Sequence, residues 1–119
     1  EATSKYNNLY LNVAIAYGGR AEIVDASKNL IKDVLSGKIK ADEIDEDILE
    51  KYLYTSDIPN HEPDMIIRTS GEERISNFLL WQSAYSELVF LDVYWPEFRK
   101  IDLMRAIRTY QKRQRRFGI

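Results

Sequence analysis

Two arginines, two serines, a threonine, a glycine and a pair of glutamates fall together in Arg68-Thr69-Ser70-Gly71-Glu72-Glu73-Arg74-Ile75-Ser76. A guanidinium is a planar fork of N–H donors that fits a carboxylate or a phosphate. Two such forks, a hydroxyl and the free N–H groups of a helix start make a receptor for an anion, most naturally a phosphate or diphosphate. The plain alternative is that Arg68 pairs with Glu72 or Glu73 and that Ser76 only caps a helix. Spacing alone leaves the two readings level.

The flanking residues say how such a site would be held. Asp64-Met65-Ile66-Ile67 is a short apolar run of the kind that makes a buried strand, and Arg68 would leave its carboxyl end, where open α/β sheets bind ligands. Phe78-Leu79-Leu80-Trp81, Ala84 and Tyr85 fall at helical spacing, so Arg74 and Ser76 would stand at the mouth of a helix. Upstream, Leu9–Tyr17 is almost continuously apolar, as in a strand buried on both faces, and Gly18-Gly19 ends it. A helix is predicted from about Ala21 to Ser36 with Ile23, Ala26, Leu30, Ile31, Val34 and Leu35 in one stripe, stopped by Gly37.

Two short acidic helices follow, the second from Asp45 and burying Ile48, Leu49, Tyr52 and Leu53; Pro59 and Pro63 bracket a loop. Leu88–Val93 reads as a third strand, broken by Trp95-Pro96. A last helix starts near Lys100 with Leu103, Ala106, Ile107, Tyr110 and Phe117 inward. Strands alternating with helices imply parallel βαβ units in an α/β fold. Three strands are few for such a sheet, so either something else completes it or the chain is a piece of a larger domain.

Composition narrows the class. At 119 residues the chain is one domain at most, and 45% hydrophobic with 30% charged residues is ordinary for a soluble globular protein. It has no cysteine, which excludes disulfides and thiolate metal sites. No apolar run approaches the ~20 residues needed to span a bilayer, and no signal peptide is visible, so the cytoplasm is the expected compartment. A net charge of −2 argues against bulk nucleic-acid binding. That charge is unevenly spread. Ala41–Asp64 carries nine acids and only Lys51, while Arg99–Ile119 carries eight bases and only Asp102.

As a string, Arg68-Thr-x-Gly-Glu-x-Arg-Ile-Ser-Asn-Phe-Leu-Leu-Trp-Gln, then Ala84-Tyr85-x-Glu87-Leu and Trp95-Pro96, resembles the cis-prenyltransferases, the undecaprenyl diphosphate synthase family. Asn12-x-Ala14-x-x-Tyr17-Gly18-Gly19-Arg20 and Arg115-Arg116-Phe117-Gly118 match the same family in the same order, so the resemblance covers nearly the whole chain. It implies part of a mostly parallel sheet flanked by helices. The family's Asp-Gly-Asn-x-Arg-Trp-type segment, with its catalytic aspartate, does not occur here. The resemblance therefore makes residues 1–119 the C-terminal half of a single cis-prenyltransferase domain, inactive alone.

The implied reaction condenses isopentenyl diphosphate onto an allylic prenyl diphosphate, giving a polyprenyl diphosphate with Mg²⁺ as cofactor. Residue by residue, Arg68, Arg74, Ile75 and Ser76 match the family's isopentenyl diphosphate clamp. Gly71 and Glu72 belong to the supporting loop, and Glu87 matches its magnesium carboxylate. At Glu73 some relatives carry histidine. The implied partners are the two diphosphates and a second copy in a homodimer, with peripheral membrane contact through the basic tail as a further expectation.

Other residues have plainer readings. Gly18-Gly19-Arg20 could cradle a phosphate but is read as turn and scaffold. His61 is read as solvated, and no second histidine exists to make a metal pair. Trp81 and Trp95 are read as core or interface aromatics. Other functions compatible with the sequence are a non-catalytic subunit of a heteromeric prenyltransferase and a generic phosphate-binding α/β module, with RNA binding a distant third. The intact Arg68/Arg74/Ser76/Glu87 set argues against the first.

Overall fold

In a computed structural model, residues 2–113 are described. The chain divides into two compact units, Glu1–Pro59 and Asn60–Ile119.

The first unit is built on α1, Gly19–Leu35, close to the predicted helix. Ala26 and Leu30 are buried, with Ile23 and Val34 half-buried. Ile31 and Leu35, predicted inward, are 56% and 83% exposed. In their place Glu22 is buried, at 1% exposure. Its carboxylate accepts hydrogen bonds from the Tyr17 hydroxyl and from the Tyr54 backbone N–H, the latter at 2.9 Å. A buried carboxylate costs several kcal/mol unless paired in this way.

The 3₁₀ turn Ala41–Glu43 and the short helix α2, Glu46–Glu50, are the two acidic helices. Asp45 caps α2 through the Ile48 N–H at 2.8 Å. Leu53, at 2% exposure, is the main apolar anchor of this stretch, with Ile48, Leu49 and Tyr52 half-buried around it. His61, predicted solvated, is half-buried and has a partner.

Leu9–Tyr17 is not a strand. It has no ladder partner in its own unit, where no strand occurs among the described residues. A single extended segment cannot satisfy its own backbone groups, and residues 9–16 lie exposed.

The second unit carries β1, Met65–Arg68, and β2, Glu87–Phe90, paired in parallel with Met65 opposite Glu87 and Arg68 opposite Phe90. These are the only strands among the described residues, where three were predicted. The second is also shorter than Leu88–Val93, but its line continues. Leu91 N–H donates to the Arg68 carbonyl at 2.8 Å. Val89, 2% exposed, is the buried centre of the pair.

The predicted helix after Ser76 does not form. Residues 76–85 make a succession of turns, and Ser76, Asn77 and Leu79 have φ of +49°, +64° and +44°. Left-handed residues so close together break the run of i→i−4 bonds that a helix needs, and Ser and Asn readily hydrogen-bond their own backbone instead.

Helix α3, Lys100–Lys112, packs on β2. Asp102 and Ala106 are its buried residues. Asp102 accepts from the Arg99 N–H at 2.9 Å and so closes the first turn. Leu103 and Ile107, predicted inward, are 40% and 37% exposed. Trp95, predicted in a core or interface, is 72% exposed and stacks on Phe98 with 5.6 Å between ring centroids. Phe117 and Arg115-Arg116-Phe117-Gly118 lie outside the described residues.

Candidate functional site

The loop after β1 is stapled to the line of β2. Ser70 N–H donates to the Val93 carbonyl at 2.8 Å and Gly71 N–H to the Leu91 carbonyl at 3.1 Å. Both residues take positive φ, +74° and +66°. At Gly71 a side chain would be doubly unwelcome, because a Cβ there would come within 3.1 Å of Asp92 Oδ1. The staple turns the chain back over the carboxyl end of β1. There Arg68 Nη1 donates to the Arg74 carbonyl and to Ser76 Oγ. Its Nη2 and Nε make no hydrogen bond among the described residues, and Arg68 has no carboxylate partner there.

These residues line one cleft of about 220 Å³ with Ile66, Ile75, Phe78, Leu88 and Phe90. Two guanidinium groups and a hydroxyl lie in an otherwise hydrocarbon wall. Such a cleft suits a small molecule with an anionic head and a short apolar body.

The ion-pair alternative is realised, but on the other arginine. Arg74 pairs with Glu72, at side-chain exposures of 66% and 42%. An exposed pair of this kind is worth little and gives way to a stronger anion. Glu72 thus holds the Arg74 fork at the rim, and Arg68 stands ready within.

Glu87 is not brought to the cleft. It opens β2 opposite Met65, three positions before the residue that faces Arg68. Strand alternation sets it with Val89 on the sheet face away from Leu88 and Phe90. Its Oε2 takes the Arg113 guanidinium at 3.1 Å, and the same Nη1 donates to the Leu88 carbonyl. Sequence reasoning did not single out Arg113. Its only signal was a base at the end of a helix that returns to β2.

No group of three acids or histidines that could hold a divalent cation occurs among the described residues. These residues do not make a magnesium site on their own. The turn expected at Gly18-Gly19-Arg20 is instead a helix start, with Gly18 the extended N-cap of α1, lacking a side-chain cap, and Gly19 and Arg20 its first residues.

The undecaprenyl diphosphate synthase family of prenyltransferases matches residues 1–118. The chain belongs to that family. It is 65% identical to a geranylgeranyl-diphosphate-specific tritrans,polycis-undecaprenyl-diphosphate synthase of Pyrococcus abyssi, over 98% of this chain and 44% of that protein. The equivalent Methanopyrus kandleri synthase is 64% identical over 98% of this chain and 42% of its own length. Among solved structures, lavandulyl diphosphate synthase from Lavandula x intermedia, in complex with dimethylallyl diphosphate, superposes with a TM-score of 0.87. That match has 40% identity and covers 89% of this chain and 45% of that one. The fold is thus that of a cis-prenyltransferase, and the chain spans less than half the length of the curated relatives it matches.

Proposed function

We propose that this chain supplies the isopentenyl diphosphate clamp of a cis-prenyltransferase that makes a polyprenyl diphosphate. The observation that carries the reading is Arg68. Among the described residues it has no carboxylate partner and its Nη2 and Nε make no hydrogen bond, in a cleft whose other walls, Arg74 and Ser76 apart, are isoleucine, phenylalanine and leucine. The diphosphate would take Arg68, the Ser76 hydroxyl and the Arg74 fork once Glu72 releases it. Ile75, Phe78 and Phe90 would lie along the five-carbon body.

In the condensation a carbon–carbon bond forms between the isopentenyl double bond and the allylic carbon as the allylic carbon–oxygen bond breaks. Diphosphate leaves, and the isopentenyl unit loses a proton. The clamp's part is to hold the double bond facing that carbon, so that the encounter is effectively intramolecular. The family generally depends on magnesium. A bound cation would supply positive charge toward the diphosphate, and of this chain's residues the resemblance would offer it the Glu87 carboxylate. A homodimer and peripheral contact with anionic lipid belong to the same reading. Sedimentation and vesicle flotation test them.

The test of the clamp is titration of this chain with isopentenyl diphosphate. A charge-assisted hydrogen bond is worth about 1.5–3 kcal/mol, so Arg68→Ala is expected to weaken binding roughly 10- to 150-fold. Arg68→Lys should recover only part, lacking the two-pronged geometry. Arg74→Ala should cost less, since Arg74 starts from a paired, exposed state. Binding unchanged within about twofold in Arg68→Ala would move the clamp elsewhere.

A further inference from the structure

Glu72 and Arg74 are two residues apart, a spacing at which helical side chains do not face each other. Here the loop brings them together. Gly71, at φ +66°, turns the chain, and its N–H is held by the Leu91 carbonyl at 3.1 Å. Glu72 leaves that fixed point, and its Oε2 meets Arg74 Nη1 at 2.5 Å. The Arg74 main chain is tied as well, because its carbonyl accepts from Arg68 Nη1. Both ends of the ion pair therefore start from anchored backbone. Arg74 lines the cleft and Glu72 does not, so the carboxylate reaches its fork from outside.

Glu73 is the contrast. It carries the same charge one residue on, is exposed, and is engaged by no hydrogen bond or ion pair among the described residues.

The chemistry of the proposed condensation gives such a carboxylate a task. The allylic partner loses its diphosphate, so the diphosphate on the lengthened product is the one the isopentenyl unit brought. A clamp that only attracts would keep the product by the same group with which it captured the substrate. The next isopentenyl unit could not then enter, and product release often limits turnover. An anion built into the rim, able to retake one arginine as the product leaves, lowers that hold.

We propose that Glu72 is such an internal competitor. It exchanges with the ligand's diphosphate on Arg74, weakens the clamp and speeds release of the product. The inference rests on the clamp reading above and adds to it a release residue. A brace that merely aims Arg74 at the ligand would act with the opposite sign, since its loss would weaken binding. The exposures favour competition. A brace works by stiffening, whereas side chains 66% and 42% open to water form a pair that parts easily.

The experiment titrates isopentenyl diphosphate into this chain and its variants by calorimetry, with dissociation rates from NMR line shapes. Glu72→Gln keeps the shape and removes the charge. Without the exposed ion pair in the empty clamp, binding is expected to tighten about 1.4- to 5-fold, with slower dissociation. Glu73→Gln removes the same charge without a pair and should bind as wild type does. In an Arg74→Ala background, Glu72→Gln should change nothing, because no fork is left to contest. Neither glutamate is buried, so circular dichroism of the variants should match wild type.

A Glu72→Gln variant that binds no tighter than wild type would overturn the inference. So would equal tightening by Glu73→Gln, a gain that persists in Arg74→Ala, or a gain confined to the association rate. Arg68→Ala separates the two readings. If it weakens binding while Glu72→Gln does not tighten it, the clamp stands and the competitor falls. If Arg68→Ala leaves binding unchanged, both fall.

Discussion

In the second unit Met65–Arg68 lies against Glu87–Phe90, and the backbone of each finds its partners in the other. In the first unit Leu9–Ile15 is as apolar as either strand and stands in solvent. The difference lies in what each segment has beside it. A parallel strand saves its apolar surface and its backbone groups together, and only when a neighbour is in register. β1 has that neighbour in its own unit, each residue facing one 22 positions downstream, as Met65 faces Glu87. The upstream run has no strand partner among the described residues of its own unit, and its apolar side chains stay exposed.

The largest test of this contrast is activity. On the proposed function the reaction needs residues beyond this cleft, so this chain alone is expected to incorporate no radiolabelled isopentenyl diphosphate into prenyl product. Incorporation above a boiled control would show that the ladder in the second unit is sufficient. Next is hydrogen exchange. Amides of Ile67 and Val89 should be protected at least about a hundredfold more than those of Leu11 and Val13, since protection follows local stability. Equal rates would erase the distinction between the two regions.

A smaller effect is expected at Glu87, which ties β2 to the end of α3. Glu87→Gln removes an ion pair with side-chain exposures of 20% and 43%, which contributes about 0.2–1 kcal/mol, so a fall of a few degrees in Tm should result. If Glu87 also serves a cation, Mn²⁺ binding in the presence of isopentenyl diphosphate should weaken in the same variant. Superimposable Mn²⁺ curves with a lowered Tm would leave Glu87 with Arg113 alone.

The smallest effect concerns the first unit's own cohesion. Tyr52 Oη donates to Asp33 at 2.6 Å, and Lys38 stands at 3.2 Å. The tyrosine hydrogen bond, then the lysine, hold the Asp33 carboxyl below its ordinary range. A depressed acid stabilises the fold above its unfolded pKa and ceases to do so as pH falls through the folded one. Thermal stability should therefore drop slightly more steeply below pH 4 in wild type than in Tyr52→Phe. Parallel curves would remove this contact from the account.

The gathering of Arg68, Arg74, Ile75 and Ser76 around one cleft was legible because these residues are close in sequence. Arg68, Arg74, Ile75 and Ser76 needed only a strand end and a turn to meet. Helix α1 was legible from periodicity, but the extent of its buried stripe was not. A single inward stripe was assumed, and Ile31 and Leu35 were assigned to it although they are exposed. The turns at 76–85 were missed because apolar spacing alone cannot show that Ser76, Asn77 and Leu79 take left-handed backbone. Glu87 was placed at the site by resemblance, and its partner Arg113, 26 residues away, carried no local signal.

The staple under the clamp joins main chain to main chain, Ser70 and Gly71 to Val93 and Leu91. A geometry written in amides and carbonyls is indifferent to the side chains of the residues that provide it. Positions 91 and 93 are therefore free to drift among residues of similar bulk, as long as neither is lost by deletion and the strand line is kept. Gly71 has no such licence, because its φ of +66° and the nearness of Asp92 both count against a side chain. Across descendants of this sequence, mutational tolerance should be lopsided, with one arm of the staple freely spelled and the other fixed at a single letter.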